Sequence, residues 1–165
     1  MNKMYIGIDN GISGNIGIAC GAYTSFHKTP TIFGQDYTKA KKNISRIDSP
    51  ALLKLLTSEI ALHTSSKPFC LLERPMVNPQ RFASTTSALR ALEATLVILE
   101  TLGIGYRFVD SKEWQKELLP KGVKGSEELK KASNDIGQRL FPQFINIAAD
   151  FDGLLIAEWA RRNNL

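Results

Sequence analysis

Hydrophobic alternation marks the start of the chain. Ile6 and Ile8 fall on one side of an extended strand, and Tyr5, Gly7 and Asp9 on the other. Asn10-Gly11 and Ser13-Gly14-Asn15 are turn formers, so Ile16 to Cys20 is predicted to return antiparallel as the second arm of a hairpin. Ala22 to Ile32 supplies a candidate third strand with Phe26 and Ile32 as its apolar points. Gly34 to Ser49 is polar and basic, a loop or an irregular approach to a helix. Ser49 caps that helix with Pro50 at its first position, and Leu52, Leu55, Leu56 and Ile60 form its stripe.

Phe69 to Glu73 is a continuous apolar run of buried-strand length, stopped by Arg74-Pro75. A polar loop from Asn78 to Thr86 leads into a long helix over about Thr85 to Leu102. Its predicted stripe is Leu89, Leu92, Leu96 and Leu99, with Ala88, Ala91, Val97 and Ile98 making other sides apolar. Such a helix is covered on more than one side, by the sheet and by a second subunit. Ile104 to Val109 is a further strand, followed by a turn at Asp110-Ser111 and a short helix bearing Trp114, Lys116 and Leu118. After the flexible basic loop PKGVKG, Ser126 caps a helix with Glu127 and Glu128 in its first turn and Leu129, Ala132, Ile136 and Leu140 toward the core. The last helix runs from about Asp152 to Arg162. Early strands followed by strand–helix alternation give an α/β fold, a mixed sheet with helices on both faces, in one domain over residues 1–165.

Charge changes the picture modestly: a formal +5 and a pI near 9.3 favour a polyanionic partner. Cys20 and Cys70 lie in apolar strand-like runs, away from any metal-ligand spacing, as expected of reduced core residues in a cytoplasmic protein. Asp9 interrupts the early apolar run, so no signal peptide is expected, and no apolar run reaches the ~20 residues of a membrane span.

The acids carry the chemistry. Asp9 ends the first strand and Glu73 a later buried one, so parallel neighbours would bring both carboxylates to one sheet edge. Asp152 shares a helical stripe with Leu155, Ile156 and Trp159 and therefore faces the core. A buried ionised carboxylate needs a counter-charge. Taken singly, an Asp after a strand is ordinarily a turn former, and Asp150 or Asp152 a helix cap. Together they suit Mg²⁺ or Mn²⁺, and two such ions ~3.5–4 Å apart can activate water and stabilise the leaving oxygen of a phosphodiester.

YIGIDNG with its hairpin, CLLERP, SKEWQKELLP, KKASNDIGQRLFP and DGLLIAEWARR together resemble the RuvC family of Holliday junction resolvases, over most of the chain and in family order. The resemblance implies an RNase H-like five-stranded mixed sheet, a homodimer, and Mg²⁺-dependent nicking of branched DNA that leaves 5′-phosphate and 3′-hydroxyl ends. It carries the catalytic and metal-binding acids over to Asp9, Glu73 and Asp152, and lysines near the site to Lys116 and Lys130. One position departs: the family usually has an Asp three residues before the one matching Asp152, and here that place is Ala149. If the helix begins at Phe151 or Asp152, Asp150 swings into the site as the fourth ligand. If residues 149–152 are already helical, Asp150 points roughly 200° away from Asp152. The chain is then a three-acid enzyme or an inactive junction binder.

For DNA contact, Met76, Arg81 and Phe82 after Glu73 can enter a junction's opened centre, although Phe82 equally fits a core anchor. Lys121 and Lys124 between glycines offer a phosphate-binding loop. His27 and His63 lack partners at ligand spacing and are read as structural or exposed. Two other readings stay open. One is an RNase H-like nuclease for hybrids or plain duplex. The other is an actin-like nucleotide-binding fragment, since GIDNGISGN also resembles an ATP-binding turn. Cleavage-site preference and the need for a helicase partner are left open by the residues, and the short chain permits independent action.

Overall fold

The structure is a computed structural model that describes residues 2–165. The predicted hairpin forms, β1 (Asn2–Ile8) against β2 (Asn15–Cys20), and β3 (Tyr23–Lys28) adds antiparallel beyond it. Ile32 does not extend β3. It belongs to β4 (Thr31–Gln35), which pairs with β5 (Asn43–Ile47) in a separate two-stranded ribbon. The polar stretch expected to be irregular therefore contains a strand, and all of β4 is exposed. β4 has no buried position to impose alternation on its sequence, and β5 buries only Ile47.

Helix α1 (Ser49–Leu62) starts one residue earlier than predicted, because Asp48 rather than Ser49 is the cap, its carboxylate accepting the Ala51 N–H at 3.0 Å. Its buried face is Leu52, Leu56 and, unexpectedly, Glu59. The Glu59 carboxylate accepts from Tyr23 and Ser25 of β3 at 3.2 and 3.1 Å and lies 2.6 Å from His27 Nε2, so His27 does have a partner and ties β3 to α1. Strand β6 (Ser66–Glu73) lies parallel to β1, and β7 (Gly105–Val109) parallel to β6. The main sheet is five-stranded and mixed, in the order β3-β2-β1-β6-β7.

Between β6 and β7, one tight turn at Pro79–Arg81 leads into α2 (Phe82–Thr101). The helix starts before the predicted Thr85, and its inward face is shifted from the predicted stripe. Ala91, Thr95, Ile98 and Leu99 are buried, Leu92 and Leu96 pack against the core partly covered, and Leu89 is 43% exposed. Small side chains let a helix approach a sheet closely, a preference that leucine periodicity does not register. Counted from Pro79, the helical segment is 23 residues and by length and composition alone long and apolar enough to cross a membrane, though it is not a continuous apolar run. Arg90 and Glu93 interrupt it, and it docks on the sheet through its buried face.

Three helices follow on the opposite face: α3 (Ser111–Leu118), α4 (Ser126–Leu140) and α5 (Asp152–Arg162). Gly125, not Ser126, caps α4, and its buried positions are Ser133 and Gly137. Leu129, Ala132 and Ile136 are partly covered, while Leu140 is 37% exposed and not a core residue. α5 is buried from Gly153 to Ala160 and lies across β1 and β2.

The alternation of β1 divides the core into two layers. Met4, Ile6 and Ile8 meet Leu52, Leu56 and Leu99 on the α1–α2 side. Tyr5 meets α5 on the other, with Leu71 of β6 and Ala19 of β2. Burying such a Leu or Ile stabilises the fold by about 1.5–3 kcal/mol. Gly7 shares the Tyr5 side, and a Cβ there would stand 2.2 Å from the Gly153 carbonyl, so its lack of a side chain is what lets α5 settle onto β1. Cys20 and Cys70 are buried free thiols, as expected.

Candidate active site

Strand register accounts for the first two acids. Ile8 is paired with Leu72 in the parallel β1–β6 ladder, so Asp9 and Glu73 leave neighbouring strands side by side. Side-chain alternation puts Asp9 with Tyr5 and Glu73 with Leu71, both toward α5. α5 begins at Asp152, which resolves the alternative at its start: Asp150 precedes the helix and is free to turn inward. One carboxylate oxygen from each of Asp9, Asp150 and Asp152 lies within 4.8 Å of the others. Glu73 is outside that trio and stands on its flank, beside Asp9, its charge raising the cost of ionising Asp9.

Asn15 holds these parts in place, and sequence reading saw it only as a turn former. It is 2% exposed, the first residue of β2. Its Nδ2 donates to Asp150, its Oδ1 accepts the Gly153 N–H at 2.9 Å, and its backbone carbonyl accepts the Asp9 N–H at 3.0 Å. One residue thus ties the end of β1 through its backbone, and Asp150 and the first turn of α5 through its side chain. A Cβ on Gly153 would lie 2.6 Å from that Oδ1, so the position excludes larger residues. Ser133 of α4 donates to Asp152. Trp114 of α3 is fully buried, and its Nε1, without a hydrogen-bond partner among the described residues, lies near enough to Glu73 to favour the charged carboxylate. The signals for Asn15 and Ser133 are polar residues at positions whose neighbours are buried.

Electrostatics show what the site lacks. Burial, followed by the charges of Glu73 and Asp152, pushes Asp9 up to about 9. Burial and then Asp152 raise Glu73 to about 7, against the opposing effects of the adjacent Asp9 carboxyl and the Trp114 N–H. Asp152 is raised by burial and by Asp150, with Ser133 and Lys130 pulling the other way. These acids repel one another with one lysine in attendance, and they offer only oxygen. That donor set fits a hard divalent cation, and Asp9, Asp150 and Asp152 are the residues placed to hold one.

The other candidates distribute around this edge. Lys130 lies near Asp152. Lys116 instead lines a separate cleft of about 520 Å³ with Lys121 and Lys124. Met76 and Arg81 line a cleft of about 370 Å³ that reaches Asp9 and Glu73, together with Arg74, which sequence reading did not single out. Met76 is 83% and Phe82 78% exposed, so Phe82 is not a core anchor.

A mixed five-stranded sheet with acids at the ends of its two central parallel strands, faced by a helix that begins on another acid, is the RNase H-like α/β architecture. Among proteins of that architecture the fold is RuvC-like. Thermus thermophilus RuvC in complex with a Holliday junction substrate matches with a TM-score of 0.54 at 15% identity, covering 98% of this chain and 94% of that one. A second Thermus thermophilus RuvC structure gives 0.48 at 16% identity, covering 98% and 96%. No protein-family model and no curated protein matches the chain.

Proposed function

We propose that the chain is a divalent-metal-dependent endonuclease that nicks four-way and other branched DNA as a homodimer, its 165 residues forming one nuclease domain. The convergence of Asp9, Asp150 and Asp152 within 4.8 Å, with Glu73 beside them on a RuvC-like sheet edge, carries this reading. Mg²⁺ is the proposed ion, with Mn²⁺ able to replace it. Bound there, the metal supplies water activation and stabilises the departing oxygen. The chain's own residues do the rest. Asn15 and Ser133 keep two of the carboxylates aimed inward. Lys130, near Asp152, offsets the charge of the scissile phosphate, and Lys116, in its separate cleft, that of phosphates farther along the strand. Lys121 and Lys124 extend that basic surface along the backbone.

Branched DNA is the proposed substrate because the cleft beside Asp9 and Glu73 is bordered by Arg74 and Arg81 and by exposed Met76 and Phe82, a pairing suited to phosphates and unstacked bases at a branch point. The apolar outer side of α2, with Leu89 43% and Val97 53% exposed, supports the dimer. A two-fold assembly presents two equivalent sites to the two strands of a four-way junction.

The test is nicking of a labelled four-way junction, an RNA–DNA hybrid and a linear duplex by purified protein in Mg²⁺, Mn²⁺ and EDTA. The expected result is a ligatable nick in the junction, absent in EDTA. Preferred cutting of the hybrid would reassign the substrate. Junction binding without nicking in either metal would leave a junction-binding protein and no nuclease.

A further inference from the structure

The β4–β5 ribbon has no part in the acidic site, yet it is rooted at the same sheet edge. β3 runs parallel to β1, so the chain leaves β3 beside the end of β1. There the Thr29 N–H donates to Gly14 of the Asp9 turn at 3.1 Å, and the Asp48 N–H closes the ribbon's base onto Pro30 at 2.9 Å. α2 passes alongside, where Asn10 Nδ2 donates to the Ala88 carbonyl at 3.2 Å, two residues before Arg90. Between ribbon and helix lies a groove of about 380 Å³ whose lining includes Phe33, Tyr37, Arg46 and Arg90.

Its chemistry is that of a nucleotide platform. Phe33 is 69% and Tyr37 95% exposed, and aromatic rings in water at the side of a groove lose apolar surface when a base stacks on them. Two guanidiniums border the same space, and Lys39, Lys41 and Lys42 crown the ribbon tip. Against these cations the ribbon from β4 to β5 contains a single acid, Asp36. That carboxylate is already engaged by the Thr38 N–H, the Thr38 hydroxyl and the Lys42 N–H at 3.0, 2.6 and 3.1 Å. The tip is thereby held in one shape with its lysines outward. A groove serving an apolar partner would not be ringed by arginines, so the charge favours a polyanion.

We propose that this groove is a second DNA-binding site, which takes an unpaired nucleotide next to the branch point, its base stacked on Phe33 or Tyr37 and its phosphates on Arg46, Arg90 and the tip lysines. The proposal rests on the branched-DNA reading above and extends it away from the acids.

Fluorescence anisotropy with a labelled four-way junction and with a short oligo-dT strand tests it. Tyr37→Ala removes a side chain that is 95% exposed, so the fold does not depend on it. The variant should bind both probes roughly tenfold more weakly, the scale of one lost base–aromatic stack. A Lys39→Gln, Lys41→Gln, Lys42→Gln triple variant should shallow the dependence of log affinity on log salt by up to ~0.9 for each phosphate no longer neutralised. In both variants, nicking lost at limiting protein should return as protein concentration is raised. Unchanged affinity and salt slope in both variants, with the unsubstituted protein still binding and nicking junctions, would overturn the groove and leave the nuclease reading intact. An altered oligomeric state on sedimentation with DNA affinity unchanged would also overturn it, giving the groove to a second copy. If the unsubstituted protein binds neither probe, both readings fall together.

Discussion

The two ends of α5 treat a buried acid in opposite ways. Near the C-terminal end, Glu158 is 4% exposed and is gripped by Arg161 at 2.8 and 2.9 Å and by Arg162 at 2.7 Å. Burial alone would raise its carboxyl, but these hydrogen bonds win and hold it below the ordinary glutamate range. At the N-terminal end, Asp152 meets Asp9, Asp150 and Glu73 and is raised, as Asp9 and Glu73 are. The helix dipole favours an acid at the first position and arginines at the last, yet such terms are worth only ~0.3–1 kcal/mol. They cannot offset four crowded carboxylates. The chain thus neutralises an acid with its own arginines where structure is the purpose. Where it leaves acids without arginines, they are held neutral by keeping their protons or are open to a cation from solution.

The comparison breaks most visibly in activity. Asp152→Asn and Glu73→Gln should each lower junction nicking by ~10²–10³-fold or more, the scale of losing one group aligned with developing charge. Junction binding should persist, since each variant removes negative charge beside DNA. Single-turnover assays read the first effect and anisotropy the second. Wild-type nicking by Glu73→Gln would take Glu73 out of the chemistry.

Stability should separate the two ends next. Acids with folded values above their unfolded ones keep more protons in the native state, so stability falls as pH rises. For Asp9 and Glu73 that loss spans the window from the ordinary carboxylate range, ~4, up to about 7 for Glu73 and about 9 for Asp9. In EDTA the melting temperature should therefore decline from pH 5 toward pH 9. Mg²⁺ should recover it most at the alkaline end, where the acids are ionised, and ~1 kcal/mol corresponds to about 2–4 °C for a chain of this size. A melting temperature flat in pH and indifferent to Mg²⁺ would mean that the acids do not form a metal-dependent unit.

How much of this could be read from the chain varies with the type of signal. β1, β2, β6 and β7 were legible because a buried strand imprints apolar runs and turn formers, and the acids ending β1 and β6 stand out against them. α5 was legible for the same reason, its inward stripe leading back to Asp152. The leucine stripe of α2 was legible in part: Leu99 is buried and Leu92 and Leu96 pack on the core, while the inward face also takes in Ala91 and Thr95, which leucine periodicity does not register. The ribbon was opaque because β4 is exposed throughout and β5 buries only Ile47, so almost no apolar alternation marks the pairing. Whether Asp150 turns toward the other acids depends on where α5 begins, and helix boundaries are a weak point of pattern reading. The placement of Asp150 there comes from a tertiary contact with Asn15 that no local pattern signals. Asn15→Ala should weaken Mn²⁺ binding ~10–100-fold, as loss of a partner that orients a ligand does. Binding is measurable by calorimetry without any turnover, and unchanged affinity would show that Asp150 orients itself.

The smallest effect belongs to the other end of the helix. Glu158→Gln keeps the shape of the side chain and removes the charge that Arg161 and Arg162 share. Those arginines are 44% and 48% exposed, so water already screens them, and the loss should be about 1 kcal/mol or less. Because Glu158 is held below its ordinary range, the stability it contributes is complete at neutral pH. It is lost as pH falls through the carboxylate range, opposite in sign to the N-terminal acids. A thermal melt should therefore show Glu158→Gln costing a few degrees at pH 7 and nothing at low pH, with Mg²⁺ making no difference. A Mg²⁺-dependent change in this variant would mean that the two ends of α5 are coupled, and that its arginines reach the metal site through the helix.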